Sequence, residues 1–233
     1  MIHRRREKIV KRANKIQFIL TIYLTRELPI SYNGENGERF MPLIALEGID
    51  KSGKGTQAEL LFERLKMAGY RVECIAFPDY ETPLGREIKR FLRGRVKFCP
   101  EVRQFLYVAN RWERKKDIDT WLREGKVVIA DRYTPSGLAY GLANNLDLSW
   151  MMGLEGGLPV ADMVIVIDVS VNTALKRSGG EKKDVYEKNR QFLEMVRKAY
   201  LDLAKKLGWA VIDGEGPIEE VAEQVWRGVS KLL

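Results

Sequence analysis

Histidine and cysteine are almost absent from this chain: 233 residues carry one histidine, His3, and two cysteines, Cys74 and Cys99. With no histidine after position 3, a Ser-His-Asp or Cys-His catalytic pair cannot be built in the body of the chain, and neither a His-rich nor a four-cysteine zinc site can be assembled. Chemistry is left to Lys, Arg, Asp, Glu, backbone amides or a borrowed metal ion. The two cysteines lie 25 residues apart with no Cys-x-x-Cys spacing, which predicts two ordinary buried thiols in a reducing, cytoplasmic setting. Long apolar runs are missing too. The longest, Ile16 to Leu24, is interrupted by Gln17 and Thr21 and falls short of the roughly 20 residues that cross a bilayer, so no membrane association is expected. What remains, 45% hydrophobic and 31% charged residues, is the composition of a folded globular protein with a sizeable single core.

The positive charge is unevenly spread. Residues 1–40 hold nine Lys/Arg and four acids, and so supply +5 of the net +8. A basic field concentrated outside the domain argues against a nucleic-acid partner, which needs a footprint across the folded surface. Residues 4–24 place Ile9, Ala13, Ile16 and Leu20 at helical spacing and are Arg-rich and acid-poor, as transit peptides are. Residues 31–39 read as a polar, Gly-containing linker. The expectation is a basic N-terminal extension over 1–40, loosely attached or outside the native chain with Met41 as the true start, followed by one domain over 41–233.

From Met41 on, strand-length apolar runs (Leu43–Leu46, Val72–Phe77, Val127–Ala130, Met163–Ile167, Ala210–Ile212) alternate with helix-period segments. Ala58, Leu61, Leu65 and Ala68 share a face before Gly69; Phe192, Val196, Ala199, Leu203 and Leu207 share another before Gly208; Pro217 opens a last helix. Near-continuous aliphatic strands between helices predict an α/β fold with a five-stranded parallel sheet covered on both faces.

The first strand runs into Gly48-Ile49-Asp50-Lys51-Ser52-Gly53-Lys54-Gly55-Thr56 and then a helix, the context a phosphate-binding loop requires. Glycines let amides turn inward, Lys54 reaches β/γ-phosphates, and the helix N-terminus adds partial positive charge. Gly55 stands where Ser or Thr commonly ligates magnesium, leaving Thr56 one residue later. The third strand ends in Asp131-Arg132-Tyr133; an acid there suits a metal held directly or through water, and the arginine suits phosphate. Tyr107 and Arg111 lie at i and i+4, hence on one helix face. A ring beside a guanidinium suits a planar base carrying a carbonyl, whereas a core tyrosine with a solvated arginine is the commoner meaning of such a pair. Phe77-Pro78-Asp79-Tyr80-Glu81-Thr82-Pro83-Leu84-Gly85, taken alone, is a loop leading into a helix.

In this order, Gly-Ile-Asp-x-x-Gly-Lys, Phe-Pro-x-Tyr-x-Thr-Pro-Leu-Gly, Ala-Asn-Arg-Trp-Glu and Asp-Arg-Tyr-x-x-Ser-Gly-x-Ala-Tyr resemble the thymidylate kinase (dTMP kinase) family, among P-loop nucleoside monophosphate kinases, from Leu43 to Leu233. The resemblance implies phosphorylation of dTMP by MgATP, with ATP and Mg²⁺ required, and a homodimer. By resemblance Tyr107 stacks on thymine, Arg111 donates to a thymine carbonyl, and Arg132 holds the dTMP phosphate with Tyr80 nearby. Phe77, Ser136, Gly137 and Tyr140 line the sugar and base side. Asp50 takes the sugar 3′-hydroxyl and lies near the metal with Asp131 and Thr56. Residues 48–56 and Arg177 with Asp213 and Gly214 form the ATP site, and a lid spans about 178–187. Either Lys51 or the lid lysines, Lys182 and Lys183, neutralise the transferred phosphoryl. Another pyrimidine monophosphate (dUMP, UMP or CMP) is the alternative acceptor, since Gly-Lys-Gly-Thr-Gln also occurs in UMP/CMP kinases. A nucleotide-gated nucleic-acid-binding protein is a remote alternative.

Overall fold

The computed structural model describes residues 41–179, 184–187 and 189–233; the N-terminal extension and the lid lysines Lys182 and Lys183 lie outside the described residues. Five parallel strands, β1 (Leu43–Glu47), β2 (Val72–Ala76), β3 (Val127–Asp131), β4 (Met163–Asp168) and β5 (Ala210–Asp213), form one sheet in the order β2-β3-β1-β4-β5. The helices between them are α1 (Lys54–Met67), α2 (Pro83–Leu92), α3 (Pro100–Glu113), α4 (Lys115–Arg123), α5 (Thr134–Ala143), α6 (Leu148–Leu154), α7 (Val171–Arg177), α8 (Arg190–Leu207) and α9 (Ile218–Val229).

Alternate strand residues serve opposite layers. Ile44, Leu46, Ile129, Ile165 and Ile167 face α1 and α9, meeting Leu61, Leu65, Val221 and Val225. Leu43, Ala45, Val128 and Ala130 face the other way, packing with Ile118 of α4 and with Phe77 and Tyr133. On that side, Val166 joins α5 and α8 through Leu138, Ala139, Val196 and Leu203. Burial on both faces is why the inner strands β1, β3 and β4 read as aliphatic runs.

Four strands run further than their apolar stretches suggest, and the residues they take in are acids: Glu47, Asp131, Asp168 and Asp213. A strand's ladder does not stop where its hydrophobicity does. β1 sits between β3 and β4, with Leu46 level with Asp131 on one side and Ile165 on the other. The chain reverses its winding direction here, and crevices of this kind open at the C-terminal ends of the strands.

One expectation is corrected. Cys74 and Cys99 are both free and exposed rather than buried. Cys74 lies on β2, the edge of the sheet, and Cys99 precedes α3 as its N-cap residue; neither position is enclosed on all sides.

Candidate active site

The loop between β1 and α1 curls because glycine stands where a side chain cannot. At Gly48, φ is +142°, and a Cβ would come 2.5 Å from the Ile167 carbonyl oxygen and 2.7 Å from Ser52 Oγ. Ser52 N–H closes the turn onto the Ile49 carbonyl at 3.2 Å. Lys51 occupies the left-handed region at φ 63°. Gly53 at φ 97° admits α1, whose start has no side-chain cap, leaving its first amides to face a ligand. Lys54 is buried, and its ammonium donates to the Ile49 carbonyl at 3.4 Å. Burial, and then the like charge of Arg132, pull its pKa below that of an ordinary lysine against the attraction of Asp50, Asp131 and Glu47. Arg177, at the end of α7, donates to the Ser52 carbonyl at 3.1 Å and to the Gly214 carbonyl at 2.9 Å. It thereby joins the phosphate loop to the turn after Asp213, the two segments expected at the nucleotide donor.

Beside this loop, all nine residues expected to meet the phosphate acceptor line one cavity: Asp50, Phe77, Tyr80, Tyr107, Arg111, Arg132, Ser136, Gly137 and Tyr140. Asn110, Asp184 and Tyr186 line it as well. Arg132 is held in the left-handed region at φ 67°, a strained conformation for a non-glycine residue that surrounding contacts must maintain. Its Nη2 donates to Asp50 Oδ1 at 2.6 Å, and its Nη1 faces the Gly48 carbonyl (3.0 Å), Ser136 Oγ (3.1 Å) and Tyr200 Oη (3.3 Å). Burial would raise Asp50, but Arg132, Lys54 and the Tyr140 hydroxyl at 2.9 Å outweigh it and leave the carboxyl at about 2. Asp50 therefore stays ionised, already engaged by Arg132 and Tyr140.

Several residues of the site escaped the sequence. Glu47, fully buried, accepts from the Tyr133 amide (2.7 Å), the Ser136 amide (3.3 Å), Ser136 Oγ (2.6 Å) and Tyr200 Oη (2.9 Å), so one carboxylate pins the turn that carries Arg132. An acid closing an aliphatic strand was the available signal. Tyr200 sits within the apolar stripe of α8 and reads as core. Asn110 accepts from the Asp79 amide at 2.9 Å and donates to Thr82 Oγ1 at 2.7 Å, tying α3 to the loop that presents Tyr80. Arg111, one of whose sequence readings was a solvated side chain, is only 2% exposed and paired with Glu155. The Tyr107 hydroxyl meets that of Tyr186, a contact that phenylalanine there could not make.

Beside the phosphate loop one carboxylate is free to meet a divalent cation. Asp131 Oδ1 is buried with no hydrogen-bond partner, and a Cβ on Gly55 would come 3.2 Å from Asp131 Oδ2. Thr56 is exposed on the first turn of α1. Among the described residues no group of three or more His, Cys, Asp or Glu converges. One orphaned carboxylate oxygen beside a phosphate loop fits Mg²⁺, which keeps several waters and takes its other ligands from substrate phosphates.

No helix among the described residues is long and apolar enough to cross a membrane. Compared with known proteins, residues 46–225 match the family model described as thymidylate kinase. The chain is 36% identical to the thymidylate kinase of Plasmodium falciparum over 191 residues, covering 81% of this chain and 90% of that protein. It is 34% identical to the human thymidylate kinase over 186 residues, 78% of this chain and 87% of that one. A solved structure of thymidylate kinase from Candida albicans, an enzyme of broad substrate specificity, superposes with a TM-score of 0.73 at 30% identity, covering 82% of this chain and 92% of that one. With phosphate loop, acceptor cavity and family model coinciding on one stretch, this chain belongs to the thymidylate kinase family.

Proposed function

We propose that the chain transfers the γ-phosphoryl group of MgATP to dTMP, giving dTDP and ADP. The observation that carries this reading is that Arg132 and Asp50 line the acceptor cavity while Arg132 also reaches the Gly48 carbonyl of the phosphate loop, so acceptor and donor phosphates would meet at one guanidinium. A phosphomonoester is already largely ionised near neutral pH, so no general base is needed, in keeping with a domain without histidine.

Residues 48–56, with Arg177, Asp213 and Gly214 at their edge, hold the ATP. Tyr107 stacks on the base, Arg111 donates to its carbonyl, Tyr80 and Arg132 take the acceptor phosphate, and Phe77, Ser136, Gly137 and Tyr140 shape the sugar and base side. Lys54 and Arg132 neutralise charge on the transferred group, and Lys51, or Lys182 and Lys183 of the lid, adds a further cation. Asp131 and Thr56, with Asp50 nearby, would hold Mg²⁺, directly or through water, and the ion would supply charge neutralisation for the phosphates. Asp50 keeps Arg132 oriented.

The protein works as a homodimer in the cytoplasm. Support for the dimer is the exposed apolar side of α3, where Val102, Phe105 and Trp112 are 39%, 50% and 44% exposed and Phe105 meets Trp150 edge-on at 5.4 Å; sedimentation of Phe105→Glu as a monomer would bear it out. The two free thiols suit a reducing compartment. A chain begun at Met41 is expected to keep full turnover, since every motif of the site lies after residue 40. A panel of dTMP, dUMP, dCMP, UMP, CMP and AMP with MgATP tests the whole reading. The highest kcat/KM is expected on dTMP, with dUMP second; a maximum on AMP or CMP would overturn it.

A further inference from the structure

Arg111 does not project freely into the acceptor cavity. It is buried, and Glu155 grips it with both oxygens: Nε donates to Oε2 at 3.1 Å and Nη2 donates to Oε1. Both side chains are 3% exposed. A bidentate fork fixes the guanidinium plane as well as its position. It occupies Nε and Nη2 and leaves Nη1 as the guanidinium nitrogen with no protein partner among the described residues, in a side chain that lines the cavity.

The location of Glu155 gains nothing for the carboxylate itself. It is the C-cap residue of α6, the end of a helix where negative charge is disfavoured. Burial pushes its pKa up, and only Arg111 draws it back. The surroundings also leave the pair no room to turn. A Cβ at Gly137 would stand 2.9 Å from Arg111 Nη2, 3.1 Å from Glu155 Oε1 and 3.2 Å from Gln104 Nε2, so the fork is packed against bare backbone.

We infer that Glu155 is a positioning residue that sets base choice: by engaging Nε and Nη2 of Arg111 it aims a fixed, donor-only edge at the substituent on C4 of the pyrimidine. The inference rests on the proposed contact between Arg111 and the base, and deepens it. A carbonyl at C4, as in thymine or uracil, accepts from that edge. An amino group, as in cytosine, meets donor with donor, and neither can swing away to water because the fork holds the plane. Without Glu155 the guanidinium loses its fixed direction and with it the penalty on the wrong base.

The test compares kcat/KM for dTMP, dUMP and dCMP, together with KM for ATP, in wild type, Glu155→Gln, Glu155→Asp and Arg111→Ala. Glutamine sets an amide N–H₂ against one arm of the fork; aspartate keeps the charge but retracts it by one methylene. Glu155→Gln is expected to lower dTMP kcat/KM by ~10–100-fold, mainly through KM, and to narrow the dTMP-to-dCMP ratio at least about tenfold with KM for ATP unchanged. Glu155→Asp should recover part of the ratio, and should decide the matter alone if the glutamine variant does not fold. A ratio unchanged in the folded Glu155 variants but narrowed in Arg111→Ala overturns the inference and spares the base contact. A ratio unchanged in Arg111→Ala overturns both.

Discussion

The hydroxyl of Tyr200 stands between Glu47 and Arg132, 2.9 Å from Glu47 Oε2 and 3.3 Å from Arg132 Nη1. It donates to the carboxylate and accepts from the guanidinium, so α8 reaches Arg132, proposed to hold the acceptor phosphate, through one oxygen. Removing that oxygen in Tyr200→Phe leaves the ring and its packing. We expect KM for dTMP to rise ~3–10-fold and kcat to fall by a similar factor, with KM for ATP unchanged, since one hydrogen bond to a charged group contributes about 1.5–3 kcal/mol. Steady-state kinetics against each substrate checks it. A lower melting temperature with unaltered kinetics would reduce Tyr200 to a core residue.

Much of this site could be read from the chain because its chemistry is local. Glycines at 48 and 53, Lys54 opening a helix, and Asp131-Arg132 at the end of a strand each lie within a few residues of the backbone feature that gives them meaning. Glu47–Tyr200 spans 153 residues and Arg111–Glu155 spans 44, and no spacing rule connects such partners. Tyr200 was hidden by its own periodicity, because it falls among the apolar positions of α8 and an apolar stripe gives no hint that one member carries a working hydroxyl. Glu47 lies one residue beyond the aliphatic run that marks β1, so hydrophobicity alone does not include it in the strand. The cysteines misled for a related reason: a general preference for the interior says nothing about which strand is the edge.

Lys54 carries a cost for the folded state, since burial and Arg132 both work against its ammonium. Lys54→Met removes a charge that the fold has desolvated and keeps a long, flexible side chain. Turnover is expected to fall ~10²–10³-fold, while thermal stability holds or rises. Coupled measurement of kcat and a melting curve checks this; near-wild-type turnover would remove Lys54 from the phosphoryl-transfer step.

Burial, reinforced by the charge of Asp50, pushes Asp184 up to about 6 despite amide hydrogen bonds from Tyr186 and Glu187. An unfolded aspartate titrates near about 3.9. Between these values the folded chain holds the extra proton, so the contribution of Asp184 to stability is full below about pH 4 and is lost as pH rises through about 6. Asp184→Asn keeps the acceptor oxygen for both amides and never becomes charged. Its melting temperature should exceed that of the wild type by roughly 2–4 °C at about pH 8, with the gap closed at about pH 4. Equal melting temperatures at both pH values would show that the carboxyl is freely solvated.

Gly137 lies inside α5 with no left-handed φ, so its lack of a side chain serves contact rather than backbone freedom. On propensity alone, alanine in a helix interior would stabilise by about 0.5–1 kcal/mol. Its methyl group would instead meet Arg111 Nη2 at 2.9 Å, Glu155 Oε1 at 3.1 Å and Gln104 Nε2 at 3.2 Å, and overpacking of this kind costs about 1–3 kcal/mol. Stability of Gly137→Ala is the small difference of the two and should change by less than about 2 kcal/mol. Function has no such compensation, because the displaced atoms are the fork that orients Arg111. KM for dTMP is expected to rise ~10-fold or more with KM for ATP unchanged, and the dTMP-to-dCMP ratio to narrow with it. Denaturant melts beside kinetics on both nucleotides decide the point: a variant that loses stability but keeps its base preference would mean that the fork yields to the methyl group without turning Arg111.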